Sequence, residues 1–215
     1  MSLRLLVIAL LVGLGLPLSA SAQEAPSLET LQSRYDRLEG LQATFTQVTS
    51  SEFAGGSTQL EGTVLLAGNK YRVETPSQTV VTNGTTTWIY SPADSQVVVN
   101  DADAEASTIT PQAFLTTSAQ AYDVTSTRSA SRRGTPHHVL SLTAAGSSAR
   151  FEEATLWVRR SDQIITRLRA TDRNGSTLDL RLRDIMVDPS LDEASFSFSA
   201  PRGVEVVDLR PDAAN

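Results

Sequence analysis

Residues 78–90 have the sequence QTVVTNGTTTWIY, two runs of Thr, Val and aromatic residues joined by Asn83-Gly84. Such residues are enriched in strands because their side chains pack well on a pleated surface. An Asn-Gly pair supplies the two positive φ angles of a type I′ turn, so this stretch predicts a two-residue β-hairpin. Asn174-Gly175 joins a second pair of strand-like runs in the same way. Both hairpins predict antiparallel pairing rather than a parallel sheet.

Strand-like segments continue on both sides of these hairpins. From Leu41 onward the apolar residues recur with a period of two, which predicts a strand directly after Gly40. A sheet of ten or more strands must curl, split into layers or close on itself. We therefore expect a mainly β fold, an incomplete, half-open antiparallel β-barrel. Further strands are predicted near residues 58–66, 69–75, 78–83, 85–91, 95–99, 121–127, 137–144, 151–159, 163–172, 175–186, 195–199 and 204–208.

Few helices are predicted. The first begins after Ser27 as N-cap and ends at Gly40, and its apolar residues share one face: Leu28, Leu31, Tyr35 and Leu38. A second helix is predicted over residues 110–118, with Pro111 at its first helical position. Residues 188–191 are expected to form one further helical turn. We expect these short helices to cover the open face of the barrel.

The first 22 residues have the features of a secretory signal peptide. Arg4 precedes an apolar or glycine run of 12 residues, Leu5 to Leu16, and Ala20-Ser21-Ala22 provides a small-x-small cleavage site. A run of this length lies within the roughly 7–15 residues of a signal sequence and is shorter than the about 20 needed to span a bilayer. We expect cleavage after Ala22 and a single exported domain over residues 23–215.

Charge and cysteine content exclude several function classes. The chain has 18 Lys and Arg against 24 Asp and Glu, a net charge of −6, which argues against nucleic acid as a partner. It has no cysteine. A thiol nucleophile and a cysteine-rich zinc site are therefore excluded, as is the lipid-bearing cysteine of a bacterial lipoprotein.

Catalytic patterns are also missing. His137 and His138 are adjacent on a predicted strand, so they point to opposite faces and cannot jointly bind one metal ion. No nucleophile elbow, phosphate-binding loop or dinucleotide fingerprint occurs. We expect a protein that is not an enzyme and uses no metal or cofactor. Carboxylate pairs are interpreted as solvated surface: Asp101/Asp103, Glu152-Glu153 and Asp192-Glu193.

Arginines alternate with apolar residues on the later strands. Arg181 and Arg183 face opposite to Leu178, Leu180 and Leu182, and Arg167 shares a face with Arg169. The simplest interpretation is that these arginines form the solvated outer face of a sheet whose other face is apolar.

The remaining apolar side chains have two interpretations, an ordinary core or a ligand cavity. A barrel of about eight strands is filled by its own side chains, whereas a wider one leaves space. A cavity that accepts acyl chains gains about 0.8 kcal/mol for each buried methylene. Phe151, Leu156 and Leu182 belong to the same predicted interior. The candidate cavity residues are Phe45, Trp88, Tyr90, Phe114, Leu115, Leu140, Leu142, Trp157 and Leu180.

Several stretches, taken in order, resemble the periplasmic lipoprotein carrier family LolA. They are LQATFTQ at 41–47, LEGTV at 60–64, VTNGTTTWIYSP at 81–92, the helix beginning at Thr110-Pro111, and FSFSAPRGVEVVD at 196–208. The resemblance implies an unclosed antiparallel barrel, a hydrophobic cavity for the acyl chains of lipoproteins, and a lid of short helices. The lid residues would be Leu28, Leu31, Tyr35, Leu38 and Phe114.

The same resemblance implies partners. Acylated lipoproteins would be the cargo, an inner-membrane ABC transporter would load the carrier, and an outer-membrane lipoprotein receptor of the same fold would accept the cargo. The missing cysteine favours the soluble carrier, expected as a monomer. The alternative is a regulatory protein of this fold that senses lipids or mislocalised lipoproteins, a class that usually carries an additional C-terminal domain.

One departure from the family concerns lid control. Well-studied members have an Arg-Pro pair after the second strand, and its arginine contacts the lid. Here the matching residues 65–72 have the sequence LLAGNKYR, without that pair. Lys70 and Arg72 are the candidates to replace the arginine.

Overall fold

The computed structural model describes residues 24–51, 55–102, 110–118, 120–147 and 149–211. The predicted signal peptide and Asp103 lie outside these residues. None of the described helices is long and apolar enough to cross a membrane. The elements are α1 Leu28–Asp36, β1 Leu41–Ser51, β2 Gly56–Ala67, β3 Lys70–Glu74, β4 Thr79–Thr82, β5 Thr86–Ser91, β6 Gln96–Asp101, α2 Pro111–Ser118, β7 Tyr122–Arg132, β8 Thr135–Ala144, β9 Glu153–Arg159, β10 Ile165–Thr171, β11 Thr177–Val187, a 3-10 helix Glu193–Phe196, and β12 Glu205–Asp208.

The twelve described strands form one sheet in the order β12-β6-β5-β4-β3-β2-β1-β11-β10-β9-β8-β7. Neighbouring strands are antiparallel, except that β12 runs parallel to β6. The two end strands, β12 and β7, do not pair with each other, so the sheet is unclosed. This confirms the predicted mainly β fold with few helices and an open antiparallel sheet.

The C-terminal part of the chain departs from two predictions. Residues 195–199 form no strand, because Asp192 caps a 3-10 helix by accepting a hydrogen bond from the Ala194 amide at 3.0 Å. The helical turn expected over residues 188–191 is also absent. Asp188 instead has a φ of 51°, and its carboxylate accepts a hydrogen bond from the Glu39 amide at 2.8 Å. This bond fixes the end of β11 beside the start of β1.

Both predicted hairpins form, but the predicted type I′ turns are wrong. Gly84 and Gly175 have positive φ angles of 93° and 76°, whereas the asparagine before each does not. The Asn83 side-chain oxygen accepts hydrogen bonds from the amides of Thr85 and Thr86 at 3.0 and 2.9 Å. Asn and Asp side chains commonly organise turns in this way. Longer loops held by side chains therefore replace two-residue turns.

The sheet has an inner face, which the two α-helices cover, and an outer face. Directly opposed residues on neighbouring antiparallel strands point to the same face, so the register assigns the faces. On the inner face Phe45 opposes Leu182, Leu168 opposes Leu180, and Leu156 opposes Leu140. These side chains pack with Leu31 and Tyr35 of α1 and Phe114 and Leu115 of α2 in one core.

Specific side-chain contacts hold both helices against the sheet. On α1, the buried Tyr35 hydroxyl accepts a hydrogen bond from the Ile165 amide at 3.0 Å, and Arg34 donates to the Asp162 carbonyl at 3.1 Å. Ser27 caps this helix as predicted, although the helix ends at Asp36 rather than at Gly40. On α2, the Phe114 ring lies 5.4 Å from that of Tyr122.

Candidate apolar binding site

A cavity of about 200 Å³ lies on the inner face, between strands β1 to β4, strand β11 and the start of α2. Among the described side chains that line it none is charged, and two thirds are apolar. Sites with this composition favour hydrocarbon over polar ligands. The lining residues are Phe45, Gln47, Leu60, Val64, Val73, Thr75, Gln78, Val80, Thr110, Pro111, Leu180 and Leu182.

The predicted cavity residues fall into three groups. Phe45 and Leu180 line the cavity itself. Four others are buried in the core that continues from it, on the same inner face: Phe114, Leu115, Leu140 and Leu142. The remaining three, Trp88, Tyr90 and Trp157, lie on the outer face. The predicted lid residues on and just after α1 are all buried in the core: Leu28, Leu31, Tyr35 and Leu38.

Trp88 and Tyr90 do not line the cavity. Ile89 opposes Val80, which lines the cavity, so the residues on either side of Ile89 face outward. The Tyr90 ring lies 5.6 Å from that of Phe198, in the C-terminal segment that crosses this outer face. Val80 and Val81 are both buried, so the apolar pattern did not distinguish the two faces of β4.

Trp157 does not line the cavity either, contrary to the prediction. Its neighbours Leu156 and Val158 are fully buried in the inner core, so its own side chain faces outward. The Arg167 guanidinium lies 4.5 Å from the centre of the Trp157 ring, and that of Arg132 lies 5.8 Å from it. Trp157 is therefore part of a cation–π cluster on the outer face.

Most residues of the cavity wall are not among the predicted ones. Leu60, Val64, Val73 and Val80 come from three strands, and each lies on the inner face through cross-strand pairing. The information that would have identified them is the register between β1 and β2, in which Phe45 opposes Gly62. Fixing that register would have placed Leu60 and Val64 on the same face as Phe45.

Gln112 supplies a contact between α2 and the sheet at the position where the family's Arg-Pro pair is missing. Its side-chain amide donates a hydrogen bond of 2.6 Å to the carbonyl of Gly68, in the turn after β2. Neither predicted substitute makes this contact. Lys70 pairs with Glu193 at 2.6 Å, and Arg72 pairs with Glu74 at 2.7 Å.

The outer face is polar, but part of it is not simply solvated as predicted. Arg167 donates to Asp179 at 2.8 Å, and Arg181 pairs with the same carboxylate at 2.9 Å. The Arg167 side chain is only 17% exposed. Burial alone would raise the pKa of Asp179, but hydrogen bonds and charges from the two arginines lower it to about 2.

The two histidines behave as their adjacency predicts. His137 lies on the outer face, with its ring nitrogens 2.8 Å from the Thr135 carbonyl oxygen and 2.9 Å from the Thr166 hydroxyl oxygen. His138 opposes Val158 and lies on the inner side. Burial lowers the pKa of both imidazoles. Within the described ranges no three His, Asp or Glu side chains are grouped closely enough to hold a metal ion.

Comparison with known proteins assigns the chain to a family. The family model of the outer membrane lipoprotein carrier protein LolA matches residues 36–199. The chain belongs to the LolA family. The resemblance of the sequence to the LolA family is thereby confirmed.

Individual relatives agree with this assignment. The outer-membrane lipoprotein carrier protein of Azotobacter vinelandii is 27% identical, over 95% of this chain and 99% of its own length. That of Chromohalobacter salexigens is 29% identical, over 93% and 95%. The crystal structure of an uncharacterised conserved protein from Thermus thermophilus shares the fold, with a TM-score of 0.57 at 16% identity over 84% of this chain and 98% of that one.

Proposed function

We propose that this LolA-family protein is a periplasmic carrier that binds the acyl chains of lipoproteins and shuttles them from the inner to the outer membrane. The observation that carries the proposal is the cavity of about 200 Å³ between the sheet and α2, whose described lining residues carry no charge. Burial of hydrocarbon contributes about 0.8 kcal/mol per methylene. Binding of this kind needs no catalytic residue, metal or cofactor, and the proposal assigns none.

The relatives and the N-terminus support the location and the partners. The similar proteins are named outer-membrane lipoprotein carrier proteins. Residues 1–22 have the pattern of an export signal, which supports a site of action in the periplasm. In this proposal an inner-membrane ABC transporter loads the monomeric carrier, and an outer-membrane lipoprotein receptor accepts the cargo.

The size of the cavity implies that the protein opens to take its cargo. An engineered cavity of about 150 Å³ in another protein accommodates benzene. The cavity here, about 200 Å³, is only slightly larger and does not hold a long acyl chain. Loading therefore requires an element of the wall to move.

Helix α2 is the element best suited to move. Thr110 and Pro111, at its start, line the cavity, so displacing α2 enlarges the space directly. Its Gln112 side chain bonds to an exposed turn, whereas α1 is held by the buried hydroxyl of Tyr35. The apolar face of α2 and the acyl chains compete for the same inner surface. This competition would let the carrier shield its cargo and still release it.

A charge placed in the cavity wall tests the proposal. Leu60 is only partly buried, so Leu60→Glu adds a carboxylate to the cavity at small cost to the fold. Ser57→Glu adds the same charge to an exposed position of the same strand that does not line the cavity, and serves as the control. Each protein is purified from the periplasm and analysed by native mass spectrometry.

We expect triacylated lipoprotein to accompany the wild type and the Ser57→Glu control but not Leu60→Glu. Wild-type levels of bound lipoprotein in Leu60→Glu would overturn the cavity assignment. A wild type that carries only a free small lipid, or nothing, would overturn the carrier role.

A further inference from the structure

The apolar cavity continues into a second opening at the edge of β2. Phe45 and Thr75 line both the cavity and this opening, which has a volume of about 480 Å³. We call it the notch. It exists because β3 pairs with β2 only from Thr63 to Ala67, so that among the described strands residues 56–62 pair with β1 alone. Beyond Glu74 the chain turns away at Pro76, which also lines the notch.

The notch connects the two faces of the sheet. Phe45 belongs to the inner face, whereas Glu61 and Arg183 belong to the outer face, and all three line the notch. Glu61 and Arg183 also line a polar cleft of about 440 Å³ on the outer face. Cavity and notch thus share side chains, as do notch and cleft, so the three openings follow one another around β2.

The cleft is basic although the whole chain is acidic. Arg132, Arg133 and Arg183 line it, and none of the three forms a salt bridge within the described part of the chain. Arg183 donates a hydrogen bond of 2.6 Å to the Thr46 hydroxyl, and Arg132 lies over the Trp157 ring. These contacts position the guanidinium groups without neutralising them.

The other two arginines that line the cleft are already paired with carboxylates. Arg159 pairs with Asp162 at 2.6 Å, and Arg181 pairs with Asp179 at 2.9 Å.

Two carboxylates also line the cleft, both toward its notch end. Glu61 accepts a hydrogen bond from the Gln59 side chain at 3.0 Å, and Asp184 accepts one from the Thr44 hydroxyl at 2.9 Å. The uncompensated positive charge is therefore concentrated at the far end, where Arg132 and Arg133 lie at the turn between β7 and β8.

The cleft is also elongated. Its lining residues come from β2, β1, β11, β10, β9 and β8 in succession across the sheet. Neighbouring strands lie about 4.8 Å apart, so five spacings cover about 24 Å. An extended chain advances about 3.4 Å per residue, so about seven residues of peptide span this distance. A compact ion would fill only a small part of it.

We infer that the cleft binds the polypeptide segment that follows the acylated residue of the cargo, and that it favours a segment with carboxylates about five to eight residues from the acyl group. The inference rests on the proposed carrier function. The acyl chains occupy the inner cavity, the chain leaves through the notch, and the acidic side chains meet Arg132 and Arg133 on the outer face. Arginine forks bind carboxylates in bidentate geometry, which suits such contacts.

Synthetic lipopeptides test the inference. Three probes are compared by titration with the purified protein: a palmitoylated decapeptide with Asp at positions 5 to 8, the same lipopeptide with Asn at those positions, and a palmitoyl amide without peptide. The proteins are the wild type, Arg132→Gln/Arg133→Gln, the single variant Arg133→Gln, and Arg202→Gln. Arg133 is exposed, so its substitution leaves the fold intact, and Arg202 is an exposed arginine outside the cleft.

We expect the wild type and Arg202→Gln to bind the Asp lipopeptide about tenfold more tightly than the Asn lipopeptide. The single variant should lose part of this preference and the double variant nearly all of it, while the affinity for palmitoyl amide stays unchanged. Two results would overturn the inference and leave the carrier function standing. One is equal affinity of the wild type for the Asp and Asn lipopeptides, and the other is a preference for the Asp lipopeptide that survives in the double variant. Full suppression of the preference by millimolar inorganic phosphate would identify a phosphate site instead. Failure to bind palmitoyl amide would overturn the carrier function itself.

Discussion

Replacing Asp179 with Asn removes the carboxylate that Arg167 and Arg181 share on the outer face. The arginines lower the pKa of Asp179 from its ordinary 3.8 to about 2, against the effect of burial. Each pKa unit corresponds to about 1.36 kcal/mol, so the charged form contributes about 2 kcal/mol to stability at neutral pH. Asparagine would also leave two guanidinium groups close together. We therefore expect Asp179→Asn to lower the free energy of unfolding at pH 7 by about 2–4 kcal/mol.

The pH dependence of this effect has a defined sign. The pKa of Asp179 is lower in the folded state than in the unfolded state. Its contribution is therefore fully present above the unfolded value, near pH 4, and is lost as the pH falls through about 2. The difference in unfolding free energy between wild type and Asp179→Asn should be constant from pH 7 to pH 5 and should narrow below pH 4.

Urea unfolding, followed by tryptophan fluorescence at pH 7, 5 and 3, measures this difference. Trp157 lies against Arg167, so its emission reports directly on the cluster. Asp123→Asn serves as the control, because Asp123 is exposed and forms no salt bridge with any described residue. Equal stability of Asp179→Asn and wild type at pH 7, or a difference that does not narrow in acid, would refute the stabilising role of the shared carboxylate.

Three further substitutions probe the inner face. Tyr35→Phe leaves the buried Ile165 amide without its hydroxyl acceptor and should lower the free energy of unfolding in urea by about 1–3 kcal/mol. The Tyr71 hydroxyl makes no hydrogen bond in the described structure, so Tyr71→Phe is the control, and an equal loss of stability in both variants would contradict the prediction. Gly62→Ala places a Cβ 2.1 Å from the Glu74 carbonyl oxygen of β3. The substitution should therefore lower the free energy of unfolding by about 1–3 kcal/mol, and an unchanged urea midpoint would contradict the predicted clash. Phe114→Glu should abolish binding of an acyl probe. Because Phe114 is only 5% exposed, the substitution should also destabilise the fold, so circular dichroism must accompany the titration. Binding that persists in a folded variant would argue against a role for α2.

Features decided within a few residues could be predicted from the sequence. Ser27 caps α1, Thr110 caps α2 by accepting from the Ala113 amide at 3.0 Å, and both Asn-Gly segments join antiparallel strands. Capping and hairpin formation depend on side chains next to the backbone they bind. The predicted turn types are wrong because side chains bond to the turn amides: that of Asn83 in the first turn and that of Asp172 in the second.

The assignment of faces could not be predicted in the same way. A period of two shows which residues of a strand share a face, but it does not show which face the helices cover. On β4 and β5 both faces are partly or fully buried, the outer one beneath the segment that carries Phe198. The period of two therefore does not separate Trp88 and Tyr90 from the cavity, although both face outward and Tyr90 contacts Phe198, more than a hundred residues further along the chain. Phe45 and Leu180 lie on strands with only one apolar face, and both line the cavity.

The covering of both faces also constrains how the cavity can open. The C-terminal segment holds β3 through the pair of Lys70 with Glu193, and it holds β6 through the parallel pairing of β12. Bending these strands away from the cavity would break contacts on the outer face as well as on the inner one. The start of α2 lines the cavity from the opposite side. All of the described strands belong to one sheet, so no second sheet of described strands covers α2. A change in cavity volume is therefore least costly when α2 moves and the sheet remains in place, so that the notch at β2 keeps its shape while the cavity beside it expands.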